Sequence, residues 1–370
     1  MKILVLCLSP GKGGLELYAG KVMRWLKASS GSCYALVAPS SMLEKRAIEL
    51  SIPYRTLKRL STLSPFVAAK RLARIIDEEA IDIIHVHWGK DLTLAVLAKS
   101  MARKDVKLIY SRHMNMTRTK KDLFHRWQYG HVHKMIVFTK LLFDQAGRYL
   151  PLSEDQIELL YHGVADCDVL ASKSCQDFMR EIGLEQRRFR VGLFGRIEFY
   201  KGQHVLVEAI EKLVAKGMDV GAAMIGHPMD DSYFDRLKES IRSRGLVEHI
   251  RTCDFVEDAM AVMRCFDVIV LTTYAETFGL VLVEAMRVGT PVIGTNAGGV
   301  PEIIEDGVTG LLFEPGDSAG LARAISSLYS DPEVAAQLAA AAKRRANERF
   351  SEEKHYRRLR QIFNSVHENT

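Results

Sequence analysis

Cysteine is scarce in this chain and forms no recognisable pattern. The six Cys residues include no CxxC pair and no close group with His, so the sequence predicts neither a zinc site nor a disulfide framework. Unpaired thiols persist in a reducing compartment, and we therefore expect a cytoplasmic protein.

Long hydrophobic runs are also missing. No stretch reaches the roughly 18 apolar residues that span a bilayer, so we expect no integral membrane segment. The N-terminal run MKILVLCLSP is followed by GKGGLE rather than by a small-residue cleavage site, which favours a first buried strand over a signal peptide. Apolar residues make up 48% and charged residues 26% of the chain, which is typical of a globular protein.

Two further features narrow the function. No GxGxxG motif follows a predicted strand, which disfavours an NAD-dependent dehydrogenase. We interpret the adjacent acids Asp230 and Asp231 as part of a solvated loop rather than as metal ligands.

The order of apolar and helical patterns indicates two α/β domains. At 370 residues the chain is longer than a single hydrophobic core usually grows. Short β-rich runs alternate with helical patterns, which predicts parallel sheets with helices on both faces. The first series comprises KILVLCLS, CYALVA, YRTLK, DIIHVH, KLIYS and KMIVF, with helices starting near Leu15, Ser41, Pro65, Asp91 and Lys121. This pattern predicts a Rossmann-like domain.

A second alternating series follows a polar stretch at residues 165–189. Its runs are FRVGLFG, VGAAMIG, IRTCDFV, DVIVLTT, TPVIGT and TGLLF. We place the interdomain linker in the polar stretch. The prediction is a first domain at residues 1–175, a second at 176–350, and a C-terminal helix at 351–370 that packs back toward the first domain.

Charge is unevenly distributed along the chain. Residues 1–185 contain 28 Lys and Arg against 19 Asp and Glu, whereas the remainder is slightly acidic. An anionic partner, such as a lipid headgroup or a phosphorylated acceptor, should therefore meet the first half; solvated helix faces are the alternative. The basic residues gather in two clusters, Arg55, Lys58, Arg59, Lys70, Arg71 and Arg74, and Arg112, Arg118, Lys120, Lys121 and Arg126.

The clearest chemical signal lies in residues 274–313, which begin YAETFGLVLVEAM. Glu276 follows a predicted strand, and Phe278 and Gly279 lead into a helix whose free N–H groups suit a diphosphate. Glu284 lies one turn inside that helix, where its carboxylate can accept hydrogen bonds from two sugar hydroxyls. One carboxylate can thus face a transferred sugar and the other a ribose. By spacing alone, two surface carboxylates remain the alternative.

A second signal is LFGRIEFYKGQHVLVEAI, residues 193–210. Arg196 follows the end of a predicted strand, and Lys201 with Gly202 opens the next helix. Ligands of open α/β sheets bind at that edge. A guanidinium and an ammonium can neutralise a diphosphate both when bound and as a leaving group; the alternative is a pair of side chains that cap a solvated turn.

A third signal is the glycine-rich turn of SPGKGGLELYAG. Gly11, Gly13 and Gly14 join the first strand to the first helix, and Glu16 follows. Such a turn can admit a phosphate or a sugar, although a plain tight turn is the alternative.

Histidines form the last group of candidates. His113 follows the fifth strand in IYSRHMN, where an imidazole can position a hydroxyl or stabilise charge. In DIIHVHWG we expect His85 to pack in the buried strand and His87 to be a candidate for the acceptor side. A purely structural histidine is the alternative for each.

Together these segments resemble the retaining family-4 glycosyltransferases, which have the GT-B fold. Residues 274–313 are similar to the family's E-x7-E signature, residues 193–210 to its GR…KG motif, and residues 9–26 to its GGxE loop. The resemblance covers most of the chain. It implies two Rossmann-like domains facing a central cleft that binds a nucleotide-diphosphate sugar.

The resemblance also implies a role for each matching residue. Glu276 would contact the donor sugar and Glu284 the ribose, while the turn IGHPMDD keeps the family's Gly226. The implied donor-binding set is Gly13, Gly14, Arg196, Lys201, Gly226, Glu276, Phe278, Gly279, Leu280 and Glu284. The implied acceptor side is Glu16, His87 and His113, and the implied catalytic set is His113, Glu276, Arg196 and Lys201.

The implied activity is sugar transfer, with retention, from a UDP-, GDP- or ADP-sugar to a hydroxyl of a glycan or glycolipid. Bacterial surface glycans, such as lipopolysaccharide, capsule or exopolysaccharide, are the expected products. We expect no cofactor and no metal, because cations and a helix dipole take the place of a divalent ion.

The basic first half makes an anionic membrane surface a candidate partner, peripheral on the inner face of the plasma membrane, whereas no nucleic-acid partner is expected. A GT-B nucleotide-sugar epimerase and a non-catalytic GT-B partner subunit remain alternatives.

Overall fold

The chain divides into two compact units. The computed structural model describes residues 1–30, 32–58, 65–166 and 174–368. The first unit comprises Met1–Tyr161 and His355–Thr370, and the second comprises His162–Lys354. Arg59 of the first basic cluster and Cys167 lie outside the described residues.

The first unit contains a parallel sheet of seven described strands. These strands are β1 (Ile3–Cys7), β2 (Cys33–Val37), β3 (Tyr54–Thr56), β4 (Ile83–Val86), β5 (Lys107–Arg112), β6 (Lys134–Val137) and β7 (Ile157–Leu159). Their order in the sheet is β3-β2-β1-β4-β5-β6-β7. The five residues of β1 are all apolar and all buried, as expected for a central parallel strand covered on both faces.

Helices cover both faces of this sheet. They are α1 (Gly14–Ser30), α2 (Met42–Glu49), α3 (Pro65–Glu78), α4 (Leu92–Met101), α5 (Leu123–Gly130), α6 (Lys140–Tyr149) and, near the C-terminus, α15 (Glu352–Glu368). Leu72 of α3 and Tyr129 of α5 belong to the core on one face. Leu43 of α2 and Phe363 of α15 belong to the core on the other face. The last helix therefore buries its apolar side against the first unit's sheet.

The second unit contains a six-stranded parallel sheet. Its strands are β8 (Phe189–Phe194), β9 (Val220–Ile225), β10 (Ile250–Cys253), β11 (Val268–Leu271), β12 (Val292–Thr295) and β13 (Leu311–Phe313), in the order β10-β9-β8-β11-β12-β13. Its helices are α7 (Cys175–Glu181), α8 (Gln203–Ala215), α9 (Asp231–Ser243), α10 (Ala259–Met263), α11 (Leu280–Val288), α12 (Val300–Ile303), α13 (Ser318–Ser330) and α14 (Pro332–Arg349).

The two sheets confirm the predicted α/β class with two Rossmann-like halves. The predicted strand list lacks β7, because IEL is a three-residue edge strand without a clear alternating pattern, and the predicted helix starts omit α6. The N-terminal part of the first unit runs to Tyr161. Asp230 caps α9 by accepting hydrogen bonds from the Tyr233 amide and the Ser232 hydroxyl, which accounts for one acid of the adjacent pair.

A disulfide joins Cys175 and Cys265 within the second unit, so the expectation of a chain without disulfides is wrong at this pair. Cys175 is the first residue of α7 and Cys265 follows α10, and folding brings their Cα atoms to 5.0 Å. Because the two residues are 90 positions apart, no local spacing could indicate the pairing. Cys7 and Cys33 are free thiols whose pKa is raised by burial to about 12.

Among the described helices, none combines the length and the apolar character needed to cross a lipid bilayer.

Candidate functional site

The second unit gathers its predicted site residues at one edge of its sheet. Arg196 follows β8, Gly226 follows β9 and Glu276 follows β11, and these three strands are neighbours. The carboxyl ends of parallel strands meet at the same edge, where ligands of open α/β sheets bind. The Gly195 and Gly226 amides continue the pairing just beyond the strands by donating to Ile225 and Cys253.

Lys201 and Glu276 form a direct ion pair at this edge. The Lys201 Nζ lies 2.7 Å from Glu276 Oε2, and both side chains are about four-fifths buried. The other carboxylate oxygen of Glu276 accepts a hydrogen bond from the Thr277 amide at 3.1 Å. Lys201 and Glu276 belong to two different sequence motifs, 75 positions apart, and folding brings their side chains into contact.

The backbone around Lys201 is attached to the end of β11. Lys201 closes a short 3₁₀ helix, Phe199–Lys201. Its carbonyl accepts a hydrogen bond from Thr272 Oγ1 at 2.7 Å, and the Tyr200 carbonyl accepts from Thr273 Oγ1 at 3.1 Å. The backbone of Lys201 is therefore fixed in a turn next to β11, the strand that precedes Glu276.

Arg196 is held by its backbone and leaves its side chain half exposed. Its carbonyl accepts a hydrogen bond from Nε2 of the fully buried Gln203 at 2.8 Å. Its guanidinium pairs with Glu198 at 2.9 Å. An exposed pair of this kind contributes little to stability, so the guanidinium can turn toward an anion at small cost.

The loop after β12 supports the backbone of Glu276. The Gly299 amide donates to the Glu276 carbonyl at 3.0 Å. Gly298 has a φ of +60°, and a Cβ atom there would lie 1.9 Å from that carbonyl oxygen. Only glycine fits this approach. The NAGG segment that contains Gly298 belongs to the motif at residues 274–313. Its role as a support for Glu276 appears only in the folded structure.

The helix α11 begins at Leu280, four residues after Glu276. Gly279 caps it with a φ of +107°, and the first turn of a helix presents amides without helical partners. The Phe278 side chain is buried against the rings of His162 and Phe350, at centroid distances of 5.2 and 5.7 Å. Phe278 thus offers only its backbone to a ligand, while Glu284 lies half-buried farther along the helix.

In the first unit, Glu16 holds the glycine-rich turn together. Its carboxylate is buried, accepts a hydrogen bond from the Gly13 amide at 2.8 Å and also bonds the hydroxyl of Ser9. Gly14 is the first residue of α1. Asp91, which the sequence reasoning missed, is also buried and accepts from the Leu8 amide at 2.7 Å. Both carboxylates therefore hold the backbone at the glycine-rich turn by accepting hydrogen bonds from its amides.

Two of the predicted histidines, His87 and His113, lie beside Tyr18, which the sequence reasoning missed. The ring of Tyr18 lies 5.7 Å from that of His87, 5.2 Å from that of His113 and 5.5 Å from that of His355. The ring of His85 lies against that of His87, with centroids 4.1 Å apart and the two planes tilted. Tyr18 lies two residues beyond the GGxE segment, but nothing in its local pattern indicates these partners.

Burial keeps the inner imidazoles neutral. Desolvation, with a smaller effect of His113, lowers the pKa of His87 well below its usual range, and the pKa of His85 is lowered mainly by desolvation. His85 bonds the Ser111 hydroxyl at 2.8 Å. Among the described residues, neither ring nitrogen of His87 has a hydrogen-bond partner. An unpaired buried imidazole can give or accept a hydrogen bond from an incoming hydroxyl.

Within the described part of the chain, no three His, Cys, Asp or Glu side chains are arranged to hold a metal ion.

Two Rossmann-like parallel sheets in one chain, with an ion pair and a helix N-terminus at the edge of the second, are features of the GT-B class. Residues 12–166 match the family described as Glycosyltransferase Family 4, and residues 176–345 match Glycosyl transferases group 1. The chain therefore belongs to the glycosyltransferases, as a GT-B transferase with a family 4 domain followed by a group 1 domain.

Three individual proteins are similar to this chain at 25% sequence identity. The chain is 25% identical to N-acetyl-alpha-D-glucosaminyl L-malate synthase of Bacillus anthracis, over 77% of this chain and 75% of that protein. It is also 25% identical to the lipopolysaccharide core biosynthesis mannosyltransferase LpcC of Rhizobium leguminosarum bv. viciae, over 76% and 78%. The crystal structure of Anabaena HepE in complex with UDP-glucose superposes with a TM-score of 0.84 at 25% identity, over 99% of this chain and 100% of that one.

Proposed function

We propose that this protein transfers a sugar, with retention, from a nucleotide-diphosphate sugar to a hydroxyl of a glycan or glycolipid acceptor. The observation that carries the proposal is the Lys201–Glu276 ion pair of 2.7 Å beside the start of α11. This arrangement puts a cation, a carboxylate and helix amides next to one another, which are the groups that a charged sugar donor needs.

The donor diphosphate binds through positive charge. Lys201 and Arg196 neutralise it, and the amides from Phe278 to Leu280 approach it at the positive end of α11. As the glycosidic bond breaks, these groups stabilise the extra charge on the leaving diphosphate without having to reorganise. A divalent metal is not required for this step.

Carboxylates orient the donor's hydroxyls. Glu276 accepts hydrogen bonds from the transferred sugar, and its pairing with Lys201 holds the carboxylate in place. Glu284 accepts from the ribose. Gly226 lies beside the nucleotide, and the family resemblance assigns Gly13 and Gly14 to donor binding as well.

The first unit supplies the acceptor side. His113 positions the attacking hydroxyl, with the unpaired nitrogens of His87 next to it. Glu16 contributes by shaping the loop that contains Gly13. The resemblance to the retaining family-4 glycosyltransferases implies a front-face mechanism without a covalent intermediate, in which the acceptor attacks from the face that the diphosphate leaves.

The expected products are bacterial surface glycans made on the cytoplasmic side of the plasma membrane. The match to a lipopolysaccharide mannosyltransferase supports this assignment, and the UDP-glucose complex of HepE supports a nucleotide-sugar donor. UDP-, GDP- and ADP-sugars are the candidates.

A thermal-shift screen against UDP, GDP, ADP and their sugars tests donor binding, because a ligand of the native state raises apparent stability by mass action. We expect one nucleotide series to stabilise the wild type and to stabilise Lys201→Ala much less. Lys212→Ala, an exposed lysine on α8, is the matched control. If no nucleotide shifts the transition, the donor assignment is wrong.

Product analysis then separates transfer from its alternatives. With the matching donor and a glycan acceptor, NMR of the product should show the anomeric configuration of the donor. Conversion of the donor's own sugar without an acceptor would instead indicate an epimerase.

A further inference from the structure

The start of α5 exposes an unusual group of apolar side chains. Leu123 is 86% exposed, Phe124 51% and Trp127 37%. Gln128 and Tyr129 of the same helix are buried, so α5 packs by one side and presents an apolar side to solvent. We call Leu123, Phe124 and Trp127 the α5 wedge.

The segment that carries the α5 wedge is rich in positive charge. Residues 112–127 contain five Lys or Arg side chains and a single carboxylate, that of Asp122. Asp122 caps the helix by accepting from the His125 amide at 3.1 Å. Burial, Arg112 and Arg118 together lower the pKa of Lys120, as expected where neighbouring cations repel each other.

Helix α3 carries a second group of exposed apolar side chains at its start. Phe66 and Val67 are 61% and 49% exposed. Farther along the same helix, a groove of about 250 Å³ has three guanidiniums, those of Arg55, Arg71 and Arg74, and a floor of leucine and isoleucine side chains. Among the described residues that line the groove, Glu78 is the one acid, so the groove suits an anionic group such as a lipid phosphate.

The two patches belong to one side of the first unit. Side chains of α3, α4 and α5 join the same core cluster, so these helices cover the same face of the sheet. In a parallel α/β sheet each helix starts at the carboxyl edge that its preceding strand has reached. The starts of α3 and α5 therefore lie along one edge of that helical layer.

We propose that the starts of α3 and α5 dock the first unit on an anionic lipid bilayer, with the α5 wedge inserted at the headgroup level. Apolar and aromatic side chains flanked by Lys and Arg are the signature of a helix that lies in a membrane interface. The cations attract anionic headgroups over about 8–10 Å at physiological salt. The inference rests on the proposed function, since docking would bring the first unit to the membrane that holds a lipid-linked acceptor.

Vesicle co-sedimentation of the full chain tests the proposal. We expect binding to vesicles of equal parts phosphatidylcholine and phosphatidylglycerol, and little binding to phosphatidylcholine alone. The double variant Phe124→Ser/Trp127→Ser should lower the bound-to-free ratio by about tenfold or more. The matched control, Ile48→Ser/Val247→Ser, removes two comparably exposed apolar side chains elsewhere and should bind like the wild type.

Charge and insertion can be measured separately. Lys120→Gln/Lys121→Gln should weaken binding to the anionic vesicles and reduce its salt dependence, whereas Lys212→Gln/Lys216→Gln should not. Tryptophan emission should shift to shorter wavelength on those vesicles. Trp127→Phe should keep most of the binding and lose most of the shift, because Trp127 is the exposed one of the chain's three Trp residues.

Nucleotide binding separates this proposal from the donor assignment. The wedge variants should keep the wild-type thermal shift with nucleotide, which also shows that they fold. Equal binding of the wild type and the wedge variant, or no binding of the wild type to anionic vesicles, overturns membrane docking and leaves donor binding untouched. Vesicle binding without any nucleotide effect overturns the donor assignment alone.

Discussion

The hydroxyl of Tyr18 lies 3.0 Å from Nε2 of His355, although the two residues are 337 positions apart. The Nδ1 of His355 lies 2.7 Å from the Tyr161 carbonyl, which can only accept, so Nδ1 carries the proton and Nε2 accepts from Tyr18. The same tyrosine ring contacts those of His87 and His113. One hydrogen bond thus ties the last helix to the histidines of the proposed acceptor side.

Removing the Tyr18 hydroxyl should loosen this attachment. We expect Tyr18→Phe to lower the free energy of unfolding of the first unit by about 0.5–1.5 kcal/mol, because it removes a hydrogen bond between two buried side chains. Urea unfolding followed by tryptophan fluorescence is the measurement, since Trp25, Trp88 and Trp127 all belong to the first unit. An unchanged midpoint would mean that the bond contributes nothing to stability.

The first unit should lose stability on acidification. Burial lowers the pKa of His355 from 6.5 to about 4, so the folded state binds fewer protons than the unfolded state between these values. The stabilisation is complete above pH 6.5 and is lost as the pH falls toward 4, on the order of 3 kcal/mol at most. Urea midpoints between pH 7 and pH 5 should fall less steeply for His355→Gln than for the wild type. Parallel curves would contradict the assignment.

Lys201→Ala and Arg196→Ala should each lower turnover by about tenfold or more with the fold intact. Each removes charge that stabilises the leaving diphosphate, worth about 1.4 kcal/mol or more in the transition state. Steady-state kinetics with the donor found by thermal shift gives the comparison, with Lys212→Ala as control. Near-wild-type turnover in both variants would remove the diphosphate assignment.

Gly298→Ala should damage catalysis through the backbone of Glu276. The added Cβ would meet the Glu276 carbonyl at 1.9 Å, so the loop must move and the carboxylate with it. We expect kcat to fall by about tenfold or more, since small displacements of positioning groups are costly. Gly147→Ala in α6 is the control, because its Cβ meets nothing within 4 Å. That variant should keep full activity and gain about 0.5–1 kcal/mol of stability.

Activity should survive chelation. Lys201, Arg196 and the start of α11 supply positive charge where a divalent ion would otherwise act. Initial rates with and without EDTA provide the test. If EDTA abolished transfer and added magnesium or manganese restored it, the proposed metal-independent mechanism would be wrong.

The sequence by itself determined the architecture. Runs such as ILVLC and VGAAMI are apolar without interruption because parallel strands are covered on both faces, and this pattern depends only on neighbouring residues. It also placed Arg196, Gly226 and Glu276 each after a strand, where the common carboxyl edge follows from parallel topology alone. The edge strand β7 was not predicted, because the three residues IEL form no distinct apolar run.

Only the tertiary structure decided which distant residues meet. The Lys201–Glu276 pair, the Cys175–Cys265 disulfide and the Tyr18–His355 hydrogen bond join positions 75, 90 and 337 residues apart. Each contact depends on how helices and strands pack, and this packing cannot be predicted from the local composition of the sequence. Burial is likewise a property of the packed core, so the lowered pKa of His87 and His355 arises only when the surrounding side chains exclude water.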